Sequence, residues 1–212
     1  MLVGLYGGTF DPIHVGHTHA ALEVMCALQL PQVRMVLAAR PGHRGAPASD
    51  AKHRWAMLRL ACAEYSGLIA DDTELLRSGE SYTVATVAAV RQAQPDSVPC
   101  WILGQDAFAT LPVWHRWQEL LDYCNLIVVT RPGDVREEPQ TVQALCAKHE
   151  TDQFDKSCVG QVWRLALPMR ELSATQIRAK LAANLPVKND LEDLLAAPVY
   201  TYIRQHKLYL KT

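Results

Sequence analysis

LVGLYGGTFDPIHVGH, residues 2–17, is the stretch from which the rest of the chain can be read. It opens on an apolar run, 2–6, suited to a buried strand, and passes through Gly7 and Gly8. It then reaches His14 and His17, where a helix over 15–28 is expected to begin. Glycines at a strand end let backbone approach a ligand with no Cβ between them. A helix starting near Val15 turns its unpaired N–H groups and the positive end of its dipole toward the strand's carboxyl end. Such a site selects an anion, and phosphate is the usual guest. His14 and His17 lie one helical turn apart and can project the same way. Thr9 offers a hydroxyl or an N–H to the same guest, and Asp11-Pro12 shapes the turn. Two imidazoles beside a dipole-lined anion site point to chemistry on a phosphate.

Outward from this stretch, strand-like apolar runs recur at 33–38, 68–70, 99–103, 126–130 and 162–167. Helical segments are expected at 52–65, capped by Ser49 or Asp50, and at 83–94, starting at Thr83. Strands alternating with helices imply parallel βαβ units with right-handed crossovers. The predicted fold class is α/β, a Rossmann-like doubly wound parallel sheet with helices on both faces. Residues 1–212 are read as one domain, with 173–212 a C-terminal helical part packed on it. The ligand crevice of such a sheet lies beyond the strands' carboxyl ends. There the chain carries 7–17, 40–44, 104–106, Arg131 and 173–178, each directly after a strand or in the loop beyond one. Polar runs at 134–139 and 150–156 read as solvated loop around a short helix, and Pro198 opens a closing helix over 199–206.

Composition narrows the function. The chain has 212 residues, 49% hydrophobic and 20% charged, which is an ordinary globular balance. A formal net charge of −1 with no basic run argues against a nucleic-acid surface. No apolar stretch approaches the roughly 18 residues of a membrane helix, and no signal peptide is read, so a cytoplasmic location is expected. The six cysteines are scattered with no C-x-x-C pair, so most read as small buried residues and zinc is not expected. No resident metal cluster is expected either.

Two later segments carry chemistry. In Ser173-Ala-Thr-Gln-Ile-Arg178 a serine precedes a glutamine by three, the pattern of a capping box at a helix start. Thr175 and Arg178 then share one face, so a hydroxyl, a guanidinium and helix N–H groups converge on one anion. Gly104-Gln-Asp106 follows a strand, with a glycine for close approach and an acid that can take ribose or base hydrogen bonds or cap a helix. Arg131, directly after the fifth strand, can grip a phosphate bidentately. Trp114 lies in a loop after Leu111-Pro112, where an aromatic is either core or a stacking platform. Lys52 and Arg54 read either as solvated helix charges or as lid contacts, and the solvated reading is favoured.

The motif GGTFDPIHVGH resembles the T/H-x-G-H signature of the nucleotidyltransferase superfamily. The resemblance is closest to the bacterial nicotinate mononucleotide adenylyltransferases and runs from Met1 to the last helix. Class I aminoacyl-tRNA synthetases carry a similar H-x-G-H, but also a lysine-rich second signature that this chain lacks. The resemblance implies transfer of AMP from ATP to nicotinate mononucleotide, with Mg²⁺ held mainly by ATP oxygens and water. It implies ATP contacts from Gly7, Gly8, Thr9, Phe10, His14, His17, Gly104, Asp106, Ser173, Thr175 and Arg178, with His14, His17 and Arg178 catalytic. It implies mononucleotide contacts from His43, Arg44, Thr83, Trp114, His115 and Arg131. Here Trp114 stacks on the pyridine, backbone N–H groups near Thr83 and His115 meet the carboxylate, and Arg131 meets the phosphate. Two positions depart from the pattern: Gly42 stands for a second proline in the P-P-H-K/R loop, and Ala174 for a serine in I-S-S-T-x-I-R. Phosphopantetheine or nicotinamide mononucleotide as acceptor, or a silent nucleotide-binding module, are the alternatives. Acid against amide preference and oligomeric state, including a homo-oligomer, stay open at this stage.

Overall fold

β1 (Leu2–Gly8) sits in the middle of a six-stranded sheet of order β3-β2-β1-β4-β5-β6, and every pairing is parallel. The other strands are β2 (Val33–Leu37), β3 (Leu68–Asp71), β4 (Val98–Gly104), β5 (Asn125–Thr130) and β6 (Val162–Ala166). The computed structural model describes residues 1–42, 45–130, 138–167, 172–183, 191 and 193–210. The helices are α1 (Val15–Leu28), α2 (Ala51–Ala63), α3 (Thr73–Leu76), α4 (Thr83–Ala93) and α5 (Gln105–Ala109). After them come α6 (Leu120–Tyr123), α7 (Gln140–His149), α8 (Ala174–Ala182) and α9 (Ala197–Gln205). This is the doubly wound α/β fold expected from the alternation.

The central strands are buried because both faces are covered. Along β4 successive side chains alternate between two cores. Cys100 and Ile102 join Met35, Leu37, Ile127 and Val129 beneath α1, α2, α8 and α9. Trp101 and Leu103 join Leu5, Val36, Leu126 and Val128 beneath α4, α5, α6 and α7. A period of two places alternate residues on opposite faces, so an unbroken apolar run is what a strand covered on both sides requires.

All six predicted strands form, within two residues of the expected bounds. The structure corrects the capping of α2: Asp50 takes the N-cap position, but its side chain makes no cap hydrogen bond. The short α3, α5 and α6 lack a sequence signature, being too brief to show a helical period. The segment read as loop around a short helix contains the ten-residue α7, and the last helix spans Ala197–Gln205 with Pro198 in its first turn. Cys62, Cys100 and Cys124 are buried, Cys146 is half-buried, and Cys26 and Cys158 are exposed; all six are free thiols. Burial pushes the Cys62 and Cys100 thiols up to about 12. No described helix is long and apolar enough to cross a membrane.

Candidate active site

The order of the sheet reverses at β1. The chain builds β1, β2 and β3 outward to one edge, returns to β4 beside β1, and builds to the other edge. Loops leaving β1 and β4 therefore part company, and a crevice opens at their carboxyl ends. A cleft of about 670 Å³ lies there. Gly7, Gly8, Thr9, Phe10, His14, His17, Gly104, Asp106, Ser173, Thr175 and Arg178 from the predicted ATP set line it, with Thr83 and Trp114 from the predicted mononucleotide set. His115 does not line the cleft; its ring stacks on Tyr82 at 4.1 Å, which ties the loop after Trp114 to the start of α4. His43, Arg44 and Arg131 lie outside the described residues.

His14 is the N-cap of α1, in extended conformation. Its backbone N–H donates to Nδ1 of His17 at 3.3 Å, so a histidine fills the place a glutamate or glutamine takes in a capping box. A neutral ring whose Nδ1 accepts a hydrogen bond carries its proton on Nε2. The two imidazoles stack at 3.7 Å. Burial lowers the pKa of His14 to about 4. Burial, and then the neighbouring His14, hold His17 well below the ordinary histidine value. Both rings are therefore neutral at pH 7 without a ligand, and Nδ1 of His14 is buried with no partner among the described residues.

α8 meets α1 across the cleft. The Ser173 hydroxyl accepts from the Thr175 N–H at 3.2 Å, one residue earlier than a capping box predicts. Arg178 donates to the Asp11 carbonyl at 2.7 Å and to the Thr175 hydroxyl at 3.2 Å. Its guanidinium is thus held against the glycine turn. Neither α1, α4 nor α8 has an acid in its first turn, so no carboxylate of their own first turns competes for those dipoles.

Local sterics explain the glycines differently from the expectation of ligand approach alone. A Cβ on Gly7 would lie 2.1 Å from the Trp101 ring, and one on Gly8 would lie 2.6 Å from the Phe10 ring. Their space is filled by the protein's own aromatics. At Gly104 a Cβ would meet none of the described residues within 4 Å, so among them nothing fills that side of the glycine. Gly104 is the N-cap of α5, and Asp106 lies inside its first turn rather than capping it.

Arg54 reverses the solvated reading. It is 1% exposed, and its guanidinium donates to the carbonyls of Ser49, Thr9, Ala38 and Ala39 at 2.7–3.1 Å. The guanidinium thereby ties the loops after β1 and β2 together beneath the cleft. A signal existed: Arg54, Met57, Leu58, Ala61 and Cys62 are the buried positions of α2, the spacing of a core stripe. Also unforeseen is Glu74, buried at the cleft wall, whose Oε1 accepts from the Thr86 hydroxyl at 2.6 Å while Oε2 is unpartnered among the described residues. Nothing in a four-residue helix marked it. Among the described residues no group of three or more His, Cys, Asp or Glu side chains could hold a metal ion.

The comparisons with known proteins agree with this geometry. Residues 5–180 match the cytidylyltransferase-like family. A probable nicotinate-nucleotide adenylyltransferase of Aeromonas salmonicida is 42% identical over 210 residues, covering 98% of this chain and 96% of the relative. One from Pseudoalteromonas atlantica is 33% identical over 210 residues, covering 98% and 94%. Among solved structures, Plasmodium falciparum nicotinic acid mononucleotide adenylyltransferase complexed with NaAD superposes with a TM-score of 0.77 at 16% identity, covering 98% of this chain and 97% of that one. At that identity the likeness speaks for the fold, while the sequence relatives speak for the family. The chain belongs to the cytidylyltransferase-like family of nucleotidyltransferases, alongside the nicotinate-nucleotide adenylyltransferases.

Proposed function

We propose that this protein transfers AMP from ATP to nicotinate mononucleotide, releasing pyrophosphate and forming nicotinate adenine dinucleotide. The observation that carries the reading is the junction at one cleft of the stacked His14–His17 pair with Ser173, Thr175 and Arg178, locked to the same turn by Arg178 on Asp11. An oxygen of the mononucleotide phosphate attacks the α-phosphorus of ATP, and the bond to the β-phosphate oxygen breaks. The nucleophile is already an anion at pH 7, so no serine, cysteine or strong base is required. What remains is to align two anions and to stabilise charge on the α-phosphate and the leaving pyrophosphate.

In this reading His17 donates from Nε2 to the α-phosphate, and His14 and Thr9 position the phosphate chain. Arg178 and the start of α8 hold the leaving group, with Ser173 and Thr175 adding hydroxyls. Gly104 and Asp106 face the adenosine. Trp114 stacks on the pyridine. The start of α4 at Thr83, which lines the cleft, favours a carboxylate over a carboxamide because a helix N-terminus favours an anion. Arg131 serves the mononucleotide phosphate, and His43 and Arg44 the mononucleotide.

Mg²⁺ is part of the same proposal. The Asp11 carboxylate is already hydrogen-bonded on both oxygens. An ion carried by ATP oxygens and water fits a turn whose carboxylate is so engaged. When bound it neutralises charge on the triphosphate. We also assign the whole chain, 1–212, to one nucleotidyltransferase domain with 173–212 a C-terminal helical part packed on it, and we place it in the cytoplasm.

The test is pyrophosphate release from MgATP with nicotinate mononucleotide, nicotinamide mononucleotide and phosphopantetheine in parallel. Preference for the first is expected. Preference for the second would overturn the carboxylate assignment at α4. Release with phosphopantetheine alone would overturn the acceptor half, and release with none would overturn nucleotidyl transfer to these acceptors.

A further inference from the structure

The turn that follows α9 ends on the chain's first motif. α9 stops in a Schellman arrangement: the Leu208 N–H donates to the Ile203 carbonyl at 3.0 Å and the Lys207 N–H to that of Arg204 at 3.3 Å. Lys207 takes the left-handed conformation usually given to glycine, with φ 50°, and Tyr209 repeats it with φ 64°. Side chains with a Cβ disfavour this region, so two such residues within three positions need tertiary contacts to hold them. The contact is Tyr209 itself. Its hydroxyl donates to Oδ1 of Asp11 at 2.7 Å, across 198 positions of sequence.

Asp11 is the hub of this junction. It is 6% exposed. Oδ2 accepts from the Ala48 N–H at 2.7 Å, and the backbone carbonyl accepts from Arg178 at 2.7 Å. One residue of the phosphate turn thus receives the chain's end, the loop before α2 and the arginine of α8. A buried carboxylate loses much if one partner is removed, and its reorientation would move the carbonyl that anchors Arg178.

We propose that Tyr209 is a positioning residue for nucleotidyl transfer: its hydroxyl fixes the Asp11 carboxylate, and through the Asp11 backbone it sets where the Arg178 guanidinium stands. The C-terminal tail is thereby part of the active-site scaffold. The proposal rests on the transfer reading for its kinetic readout, though not for its binding readout.

The experiment compares wild type, Tyr209→Phe, Asp11→Asn, the double variant and a chain ending at Leu208. Turnover at saturating substrates, KM for each substrate and MgATP affinity by calorimetry are measured below each variant's unfolding midpoint. Tyr209→Phe is expected to lower turnover about tenfold, within the range a small misplacement of a catalytic group costs. KM for the mononucleotide should change less than about twofold. Because the hydroxyl acts through Asp11, the double variant should lose no more than Asp11→Asn alone. A merely stabilising tail would lower the unfolding midpoint and leave turnover and MgATP affinity of folded protein at wild-type values, which would overturn the proposal. Losses that multiply in the double variant would overturn it as well. If the shortened chain fails to fold, Tyr209→Phe decides alone. If wild type binds MgATP but transfers to no acceptor, the reaction reading falls. MgATP affinity then decides here, an approximately tenfold weakening in Tyr209→Phe upholding the proposal and an unchanged value overturning it.

Discussion

The backbone N–H of His14 sets the tautomer of His17, leaving Nε2 of that ring as the one that can donate. Replacing His17 by alanine removes a preorganised donor, so turnover should fall about 10²–10³-fold with folding retained. Turnover by the folded variant within a few-fold of wild type would reject the role. The neutrality of the pair also makes a pH prediction. His14 titrates at about 4 in the folded protein against 6.5 unfolded, so between those values the unfolded chain binds the extra proton. Stability is therefore full above pH 6.5 and falls as pH drops toward 4, by on the order of 3 kcal/mol from this group, at about 1.4 kcal/mol per unit. Urea unfolding across that window should show the slope, and His14→Gln should reduce it, leaving the part that the buried His17 contributes. At Arg54 the expected effect is on stability. Methionine there leaves four carbonyls without their donor, at roughly 1–3 kcal/mol for each one that finds no water. Arg54→Met should lose about 3 kcal/mol or more in denaturant unfolding, and a loss below about 1 kcal/mol would mean water replaces the guanidinium.

At the scale of elements, the helix starts build the site and the strand ends hold it. Ser173 illustrates the first. Its hydroxyl is the cap of α8, so Ser173→Ala should cost about 1 kcal/mol and loosen the turn that presents Thr175 and Arg178. Thermal unfolding together with KM for ATP would check both halves of that statement. Gly7 illustrates the second. Alanine there must displace the Trp101 ring from a packed core, at a cost of about 1–3 kcal/mol. The same substitution at Gly104 meets none of the described residues, so its effect should be on ATP affinity rather than on stability. Equal loss of stability at both positions would refute this division. These assignments were only partly legible beforehand. The glycine pair announced a close approach, but which object approaches depended on Trp101 and Phe10, the former from a strand nearly a hundred positions away.

At the scale of the whole molecule, the cleft exists because the sheet reverses direction at β1, so ligand binding reports on the assembled fold. ATP at about 100 times its dissociation constant should stabilise the protein by roughly 2.7 kcal/mol, seen as a rise in the unfolding midpoint. Arg178→Ala should sharply reduce that rise at the same ATP concentration. What the sequence determined by itself is whatever depends on local pattern. Unbroken apolar runs specify strands covered on both faces, and 3.6-residue spacing specifies helices. The motif 7–17 and the capping serine mark where two helices begin at the cleft. The order of these elements along the chain then selects the parallel, doubly wound sheet. Only the tertiary structure decided what depends on side chains meeting across long stretches of sequence. Arg54 sits on the apolar stripe of α2, yet its charge argues for solvent until four carbonyls from other segments are seen to surround it. Tyr209 is an ordinary terminal residue until the chain's end turns back onto Asp11. A charged or polar group is buried only where partners await it, and those partners are supplied by the fold, not by its neighbours in sequence.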